Sequence, residues 1–91
     1  MAIIVHFSPK GMNHTKYAEV IRRLEAAGAG APPGRLHHTC YGPKDALQVV
    51  DVYDTPGSFE AFGKTLVPIL TALGVDVGKP DVTEVNNIIR G

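Results

Sequence analysis

The chain carries a single cysteine, Cys40. One thiol cannot close an internal disulfide and cannot assemble a cysteine zinc site. Neither sign of charge is in excess: nine Lys and Arg stand against nine Asp and Glu, for a formal net charge of zero. A duplex nucleic-acid binder therefore lacks its usual electrostatic footprint. No apolar run approaches the roughly 20 residues of a membrane-spanning helix. The opening Met1-Ala2-Ile3-Ile4-Val5-His6 has no basic leader and reads as a strand, not a signal peptide, so a cytoplasmic protein is expected. What remains is 91 residues, 44% of them hydrophobic. That suits one domain over residues 1–91 with a thin core, and it is too apolar for a disordered chain.

Residues 2–7 are apolar and β-branched, as in a strand buried on at least one face. Asn13 then reads as a helix N-cap, with Met12 and Tyr17 placed as a hydrophobic staple. Tyr17, Val20, Ile21 and Leu24 fall at i, i+3, i+4 and i+7 and give one apolar helix face, which Gly28 closes. Strands near 35–41 and 46–53 flank Gly42-Pro43-Lys44-Asp45, a natural hairpin turn. Thr55-Pro56 opens a second helix, with Phe59, Phe62, Leu66, Ile69, Leu70 and Leu73 as its apolar face. Pro68 removes a backbone donor there, so a kink or break is expected near 64–67. A last strand is expected near 82–89. The order β-α-β-β-α-β is the ferredoxin-like plan, an α+β fold with a four-stranded antiparallel sheet and two helices on one face.

Two helices cover one face of such a sheet and leave the other to water, a ligand or another chain. The strand rows divide as Ile3, Val5 and Phe7 against Ile4 and His6; Leu36, His38 and Cys40 against Arg35, His37, Thr39 and Tyr41; and Leu47, Val49, Asp51 and Tyr53 against Gln48, Val50 and Val52. The open face keeps aliphatic side chains whichever parity holds. A homodimer joined face to face would cover them.

The chain resembles the dimeric α/β-barrel superfamily, close to the antibiotic-biosynthesis-monooxygenase-like domains and most similar to small uncharacterised bacterial members. The residues that carry the resemblance are Ile3–Phe7, Pro33-Gly34-Arg35-Leu36-His37-His38, Val50-Asp51-Val52-Tyr53-Asp54, Ser58-Phe59-Glu60-Ala61-Phe62 and Val85-Asn86-Asn87-Ile88-Ile89. Such proteins often have Trp where Tyr53 stands and His where Asn86 stands. The resemblance implies a homodimer with a small cavity between sheet and helices in each subunit. It also implies a choice among activities: cofactor-independent monooxygenation of polyketide quinols, haem degradation, or none known. Haem-degrading members rely on a tryptophan, and this chain has none.

Among the four histidines, His37 and His38 point to opposite faces, and His14 sits in the first turn of a helix. His6 and His38 are the two taken to face the cavity, where a histidine can act as a general base or bind a phenol or carbonyl. A satisfied structural role is the alternative for each. Tyr53, on the same row as Asp51, offers a hydroxyl, although an aromatic here also packs well against the following helix. Asn86 and Asn87 take opposite faces, and Asn86 is the one assigned to the site. The expected ligand-binding set is therefore His6, His38, Tyr53 and Asn86, for a small aromatic or hydrophobic ligand. His38 and His6 are the candidate catalytic residues. His6, His38 and Asp51 have metal-ligand chemistry but no fixing motif, so no metal and no cofactor is expected. Cys40 reads as an inert thiol. If the protein is an enzyme, a cofactor-free oxygenation or proton transfer on a phenolic, quinol or ketonic substrate fits. The alternative is a non-catalytic ligand-binding or stress-associated homodimeric module. A cavity closed by Phe59, Phe62 and Leu66 without buried polar groups would favour the second, and His38 in an apolar pocket the first.

Overall fold

The computed structural model describes residues 1–91 and has the expected order: β1 (Ile3–Phe7), α1 (His14–Ala26), β2 (Arg35–Tyr41), β3 (Gln48–Tyr53), α2 (Pro56–Ala72) and β4 (Asp81–Glu84). The strands form one antiparallel sheet in the order β2-β3-β1-β4. That is the ferredoxin-like arrangement, with β1 and β3 at the centre.

The local signals act as their chemistry requires. The Asn13 side chain accepts from the Lys16 N–H and caps α1; Thr55 accepts from the Ser58 N–H and caps α2, with Pro56 directly behind it. Val20 and Leu24 of α1 and Phe62 and Leu70 of α2 are buried against Ile3, Val5 and Phe7 of β1 and Val49 and Tyr53 of β3. Tyr53 is wholly enclosed, with its ring centroid 5.3 Å from Phe59 and 6.5 Å from Phe62.

Three details differ from the sequence expectation. Of the kink or break expected near 64–67 there is no break: helix α2 runs through Pro68 as one element. Lys64, whose carbonyl loses its partner, and Pro68 are both exposed, so water can satisfy the orphaned group. The last strand stops at Glu84 rather than near 89. Ile3 is paired with Glu84, and the final backbone bond runs from the Val85 N–H to the Ala2 carbonyl, beyond which the tail has no partner strand.

The third difference lies in β2. Arg35 pairs with Tyr53 and His37 with Val52, so Leu36 is an extra, unpaired residue in a β-bulge. Paired residues share a face, so Arg35 lies on the helix side with Tyr53, and His38 lies there with Asp51. The simple alternation had put Leu36 beside His38 and sent Arg35 outward. The bulge reverses that, and Leu36 is 44% exposed.

Candidate functional site

Between the sheet and the two helices lies a half-enclosed cavity of about 50 Å³. Eleven of its fifteen lining residues are hydrophobic, among them Phe7, Met12, Val20, Leu24, Phe62 and Leu66. Tyr17 is one of the eleven and adds its hydroxyl to the polar side chains of Arg35, His38 and Asp51. Met12 and Tyr17, the staple pair at the start of α1, both reach this wall.

Three of the four polar residues are joined to one another. Asp51 is the only buried charged residue in the chain, 2% exposed. Its Oδ1 lies 2.5 Å from His38 Nδ1, and its Oδ2 accepts from the Tyr53 hydroxyl at 2.9 Å. His38 Nε2 lies 2.6 Å from the Tyr17 hydroxyl. A carboxylate can only accept, so the one proton of a neutral His38 ring sits on Nδ1, which leaves Nε2 as the acceptor and makes Tyr17 the donor. The network is satisfied at every atom, which is what makes a buried carboxylate tolerable in an apolar wall.

Burial, reinforced by the Asp51 charge and its hydrogen bond, pushes the Tyr53 phenol far above its ordinary value. Tyr17 is pushed up as well, first by burial and then by Cys40 and Asp51, with Arg35 opposing. Burial raises the Cys40 thiol, so it stays protonated near neutral pH. Both phenols thus remain donors over the physiological range.

The fourth residue, Arg35, stands apart from this network. Its Nη2 donates to the Gly30 carbonyl at 3.0 Å, and its guanidinium carbon lies 5.7 Å from the Phe62 ring centroid. It forms no ion pair.

The four residues expected at the site do not converge. His38 lines the cavity. Tyr53 is one step behind the wall, where it holds Asp51. His6 requires correction: it lies on the uncovered face of the sheet, with Nε2 2.9 Å from Gln48 Oε1 and Nδ1 3.8 Å from Asp81 Oδ2. Alternation along β1 explains this, because Val5 and Phe7 turn toward the helices and His6 between them turns away. Asn86 is also corrected, since it lies exposed beyond β4 and contributes nothing to this cavity. No group of three His, Cys, Asp or Glu side chains is placed to hold a metal ion.

Tyr17 and Arg35 line the cavity but are absent from the set expected from the sequence. A half-buried tyrosine at a staple position needs a partner for its hydroxyl, and that requirement was a usable signal for Tyr17. For Arg35 the one hint was Gly34, since glycine at a strand end often marks a bulge.

A larger hollow of about 450 Å³ lies beside the start of α2, lined by residues such as Pro33, Thr55, Ser58 and Thr65. Its only polar side chains are the hydroxyls of Thr55, Ser58 and Thr65, and that of Ser58 is already tied to Asp54 at 2.6 Å. The smaller cavity is the better site, because it alone combines apolar walls with convergent polar groups.

No family model matches the chain, and no curated protein is recognisably similar to it. Solved structures do match. SnoaB, a cofactor-independent oxygenase from Streptomyces nogalater, superposes with a TM-score of 0.63 at 17% identity, covering 99% of this chain and 96% of that one. A protein from Deinococcus radiodurans, provisionally assigned as an antibiotic biosynthesis monooxygenase, gives 0.62 at 14% identity, covering 99% and 97%. NE2512 from Nitrosomonas europaea, of unknown function, gives 0.58 at 15%, covering 99% and 90%. The resemblance read from the sequence holds at the level of the fold, which this chain shares with these proteins.

Proposed function

We propose that the protein binds a small phenolic, quinol or ketonic molecule in the cavity beneath its helices and removes a proton from it without a cofactor. The observation that carries this reading is the hydrogen-bonded series Tyr17–His38–Asp51 in an otherwise apolar wall. A neutral imidazole held by a carboxylate is a general base with a fixed orientation. Its Nε2 is occupied by the Tyr17 phenol, so the proton travels through that hydroxyl. The substrate gives a proton to the Tyr17 oxygen as the Tyr17 proton passes to Nε2. The resulting imidazolium is stabilised by Asp51.

A carbanion or phenolate made in this way can react directly with dioxygen. A methylene flanked by two aromatic rings that a carbonyl bridges on the far side, as in an anthrone, would take one oxygen atom of dioxygen and become a ketone, while the second oxygen leaves with the two methylene hydrogens as water. The fold shared with the oxygenase SnoaB supports this as the second stage. The cavity limits the substrate. Its volume of about 50 Å³ is less than the roughly 150 Å³ that accommodates a benzene ring, so the half-buried Tyr17, Ile21 and Leu66 must yield on binding. That points to a single-ring compound or the edge of a larger one.

A homodimer belongs to the same proposal. The uncovered sheet face presents exposed Ile4 and Tyr41 with half-buried Val50, and two such faces packed together would remove these side chains from water. Light scattering should return twice the 9.7 kDa of one chain; the monomer mass at micromolar concentration would refute it.

The functional test is oxygen uptake with a panel of hydroquinones, naphthols and anthrones, metal chelator present, comparing the protein with His38→Ala. Uptake that depends on His38 supports the proposal. Ligand binding by thermal shift with no uptake and no exchange of the acidic substrate proton for deuterium would leave a non-catalytic binding module.

A further inference from the structure

We infer that Arg35 is the specificity residue of this cavity and that it selects ligands bearing a carboxylate, the best-fitting class being single-ring hydroxy-aromatic acids. The inference rests on the reading of the cavity as a ligand site, and it concerns a residue the proton path does not use.

Arg35 holds hydrogen-bonding capacity that nothing else in the cavity offers. An anion entering the cavity needs donors. Tyr17 spends its proton on His38 Nε2, and His38 spends its own on Asp51 Oδ1. Asp51 has none to give, and both of its oxygens are engaged. Arg35 has five N–H donors in a planar fork and uses one hydrogen bond, to the Gly30 carbonyl. It is the one charge in the wall without a counter-charge, because Asp51 faces His38 and no carboxylate lies within salt-bridge distance of Arg35. A guanidinium left unpaired beside an apolar cavity is suited to a carboxylate, which it can bind through two parallel bonds.

The placement depends on the fold. In a regular strand, residues three apart point to opposite faces. Arg35 and His38 share a face because Leu36 is bulged out between them. Gly34, with φ of +84°, sets the entry to the bulge, and its carbonyl accepts from the Asp54 N–H at 2.8 Å. Phe62, which lines the same cavity, lies under the guanidinium. A ring seated between Arg35 and Tyr17 would have its carboxylate at the first and a hydroxyl at the second.

The test compares matched ligands by calorimetry and thermal shift: the three hydroxybenzoates, the corresponding hydroxybenzamides, and benzoate, against the wild type, Arg35→Gln and Arg35→Lys. At least one hydroxybenzoate should bind the wild type about tenfold or more tightly than its amide, the scale of a charge-assisted hydrogen bond. Arg35→Gln should erase that preference while leaving amide affinity within about twofold, and Arg35→Lys should keep part of it. Equal binding of acid and amide by the wild type overturns the inference, as does a preference that survives Arg35→Gln. Absence of any binding up to about 10 mM, corresponding to an affinity weaker than about 3 kcal/mol, also overturns it. The two proposals fail separately. Arg35-dependent binding of benzoate with no effect of a hydroxyl would uphold Arg35 and count against the phenolic reading. Equal binding of neutral and acidic phenols would do the reverse.

Discussion

Tyr17 and His38 face each other with their rings parallel, centroids 6.1 Å apart, and with the phenol oxygen 2.6 Å from Nε2. One residue comes from the first turns of α1 and the other from the middle of β2, so the contact joins helix to sheet across the cavity. Tyr17→Phe removes the hydroxyl and leaves the ring. Turnover should fall about 10- to 100-fold with little change in KM, because a proton-transfer group is lost and the apolar wall is kept. A rise in turnover would mean that Tyr17 merely blocks His38, and that the imidazole meets the substrate directly.

The Asp51 carboxylate is held by partners on both sides, and each can be removed singly. Tyr53→Phe leaves Oδ2 buried without its donor and should cost about 1–3 kcal/mol in urea unfolding. The same variant should retain the His38–Asp51 bond, and hence most of any activity. His38→Ala should remove activity outright. Loss of both properties together in Tyr53→Phe would show that Asp51 cannot keep its orientation from one side.

Alkaline titration has a defined sign. The folded-state values of Tyr53 and Tyr17 are raised above those of the unfolded chain, chiefly by burial. The stability they contribute is complete below about pH 10, the unfolded value. It is lost as the pH rises from there toward the folded values, because the unfolded chain releases those protons first. Absorbance at 295 nm should therefore show these two phenols ionising together with the loss of circular dichroism. Their titration near pH 10 in a chain that is still folded would contradict the enclosed hydroxyls described here.

Two glycines with similar dihedrals separate backbone strain from close packing. Gly28 has φ of +74° and open space where a Cβ would lie. Gly34 has φ of +84°, and a Cβ there would run into the Ser58 hydroxyl and the Asp54 carboxylate. Gly28→Ala should cost about 1 kcal/mol from the left-handed conformation alone. Gly34→Ala should cost about 2 kcal/mol more, and it should also weaken any Arg35-dependent binding, since the bulge starts from that residue. Equal penalties from chemical denaturation would locate the whole effect in the dihedral.

The order of elements, both caps and both helix faces could be read from the chain because each rests on local chemistry: Asn13 and Thr55 satisfy nearby N–H groups, and Val20, Leu24, Phe62 and Leu70 recur at helical spacing. The row Val49, Asp51, Tyr53 followed from strand alternation and was correct in the structure. Alternation failed where the ladder was irregular. Leu36 and Arg35 exchanged faces because a bulge depends on pairing with β3, and pairing is not a local property. The end of β4 was misjudged for a related reason. The residues from Asn86 to Ile89 have strand-like composition, and only the register with β1 shows that they lack a partner. Tyr17 was recognised as a packing residue, but its hydroxyl acquires meaning only when β2 brings His38 to it.

The unpaired Leu36 divides the cavity wall into two parts that can vary independently. The Tyr17–His38–Asp51 series is fixed by the regular ladder from His38 onward and by the depth of Asp51. The cation is fixed by one irregular step before it. Were that step to become regular, an aliphatic side chain would replace the guanidinium, and the triad behind it would be unchanged. A one-residue change of register therefore changes the charge at one end of the cavity while the hydrogen-bonded series at the other stays in place.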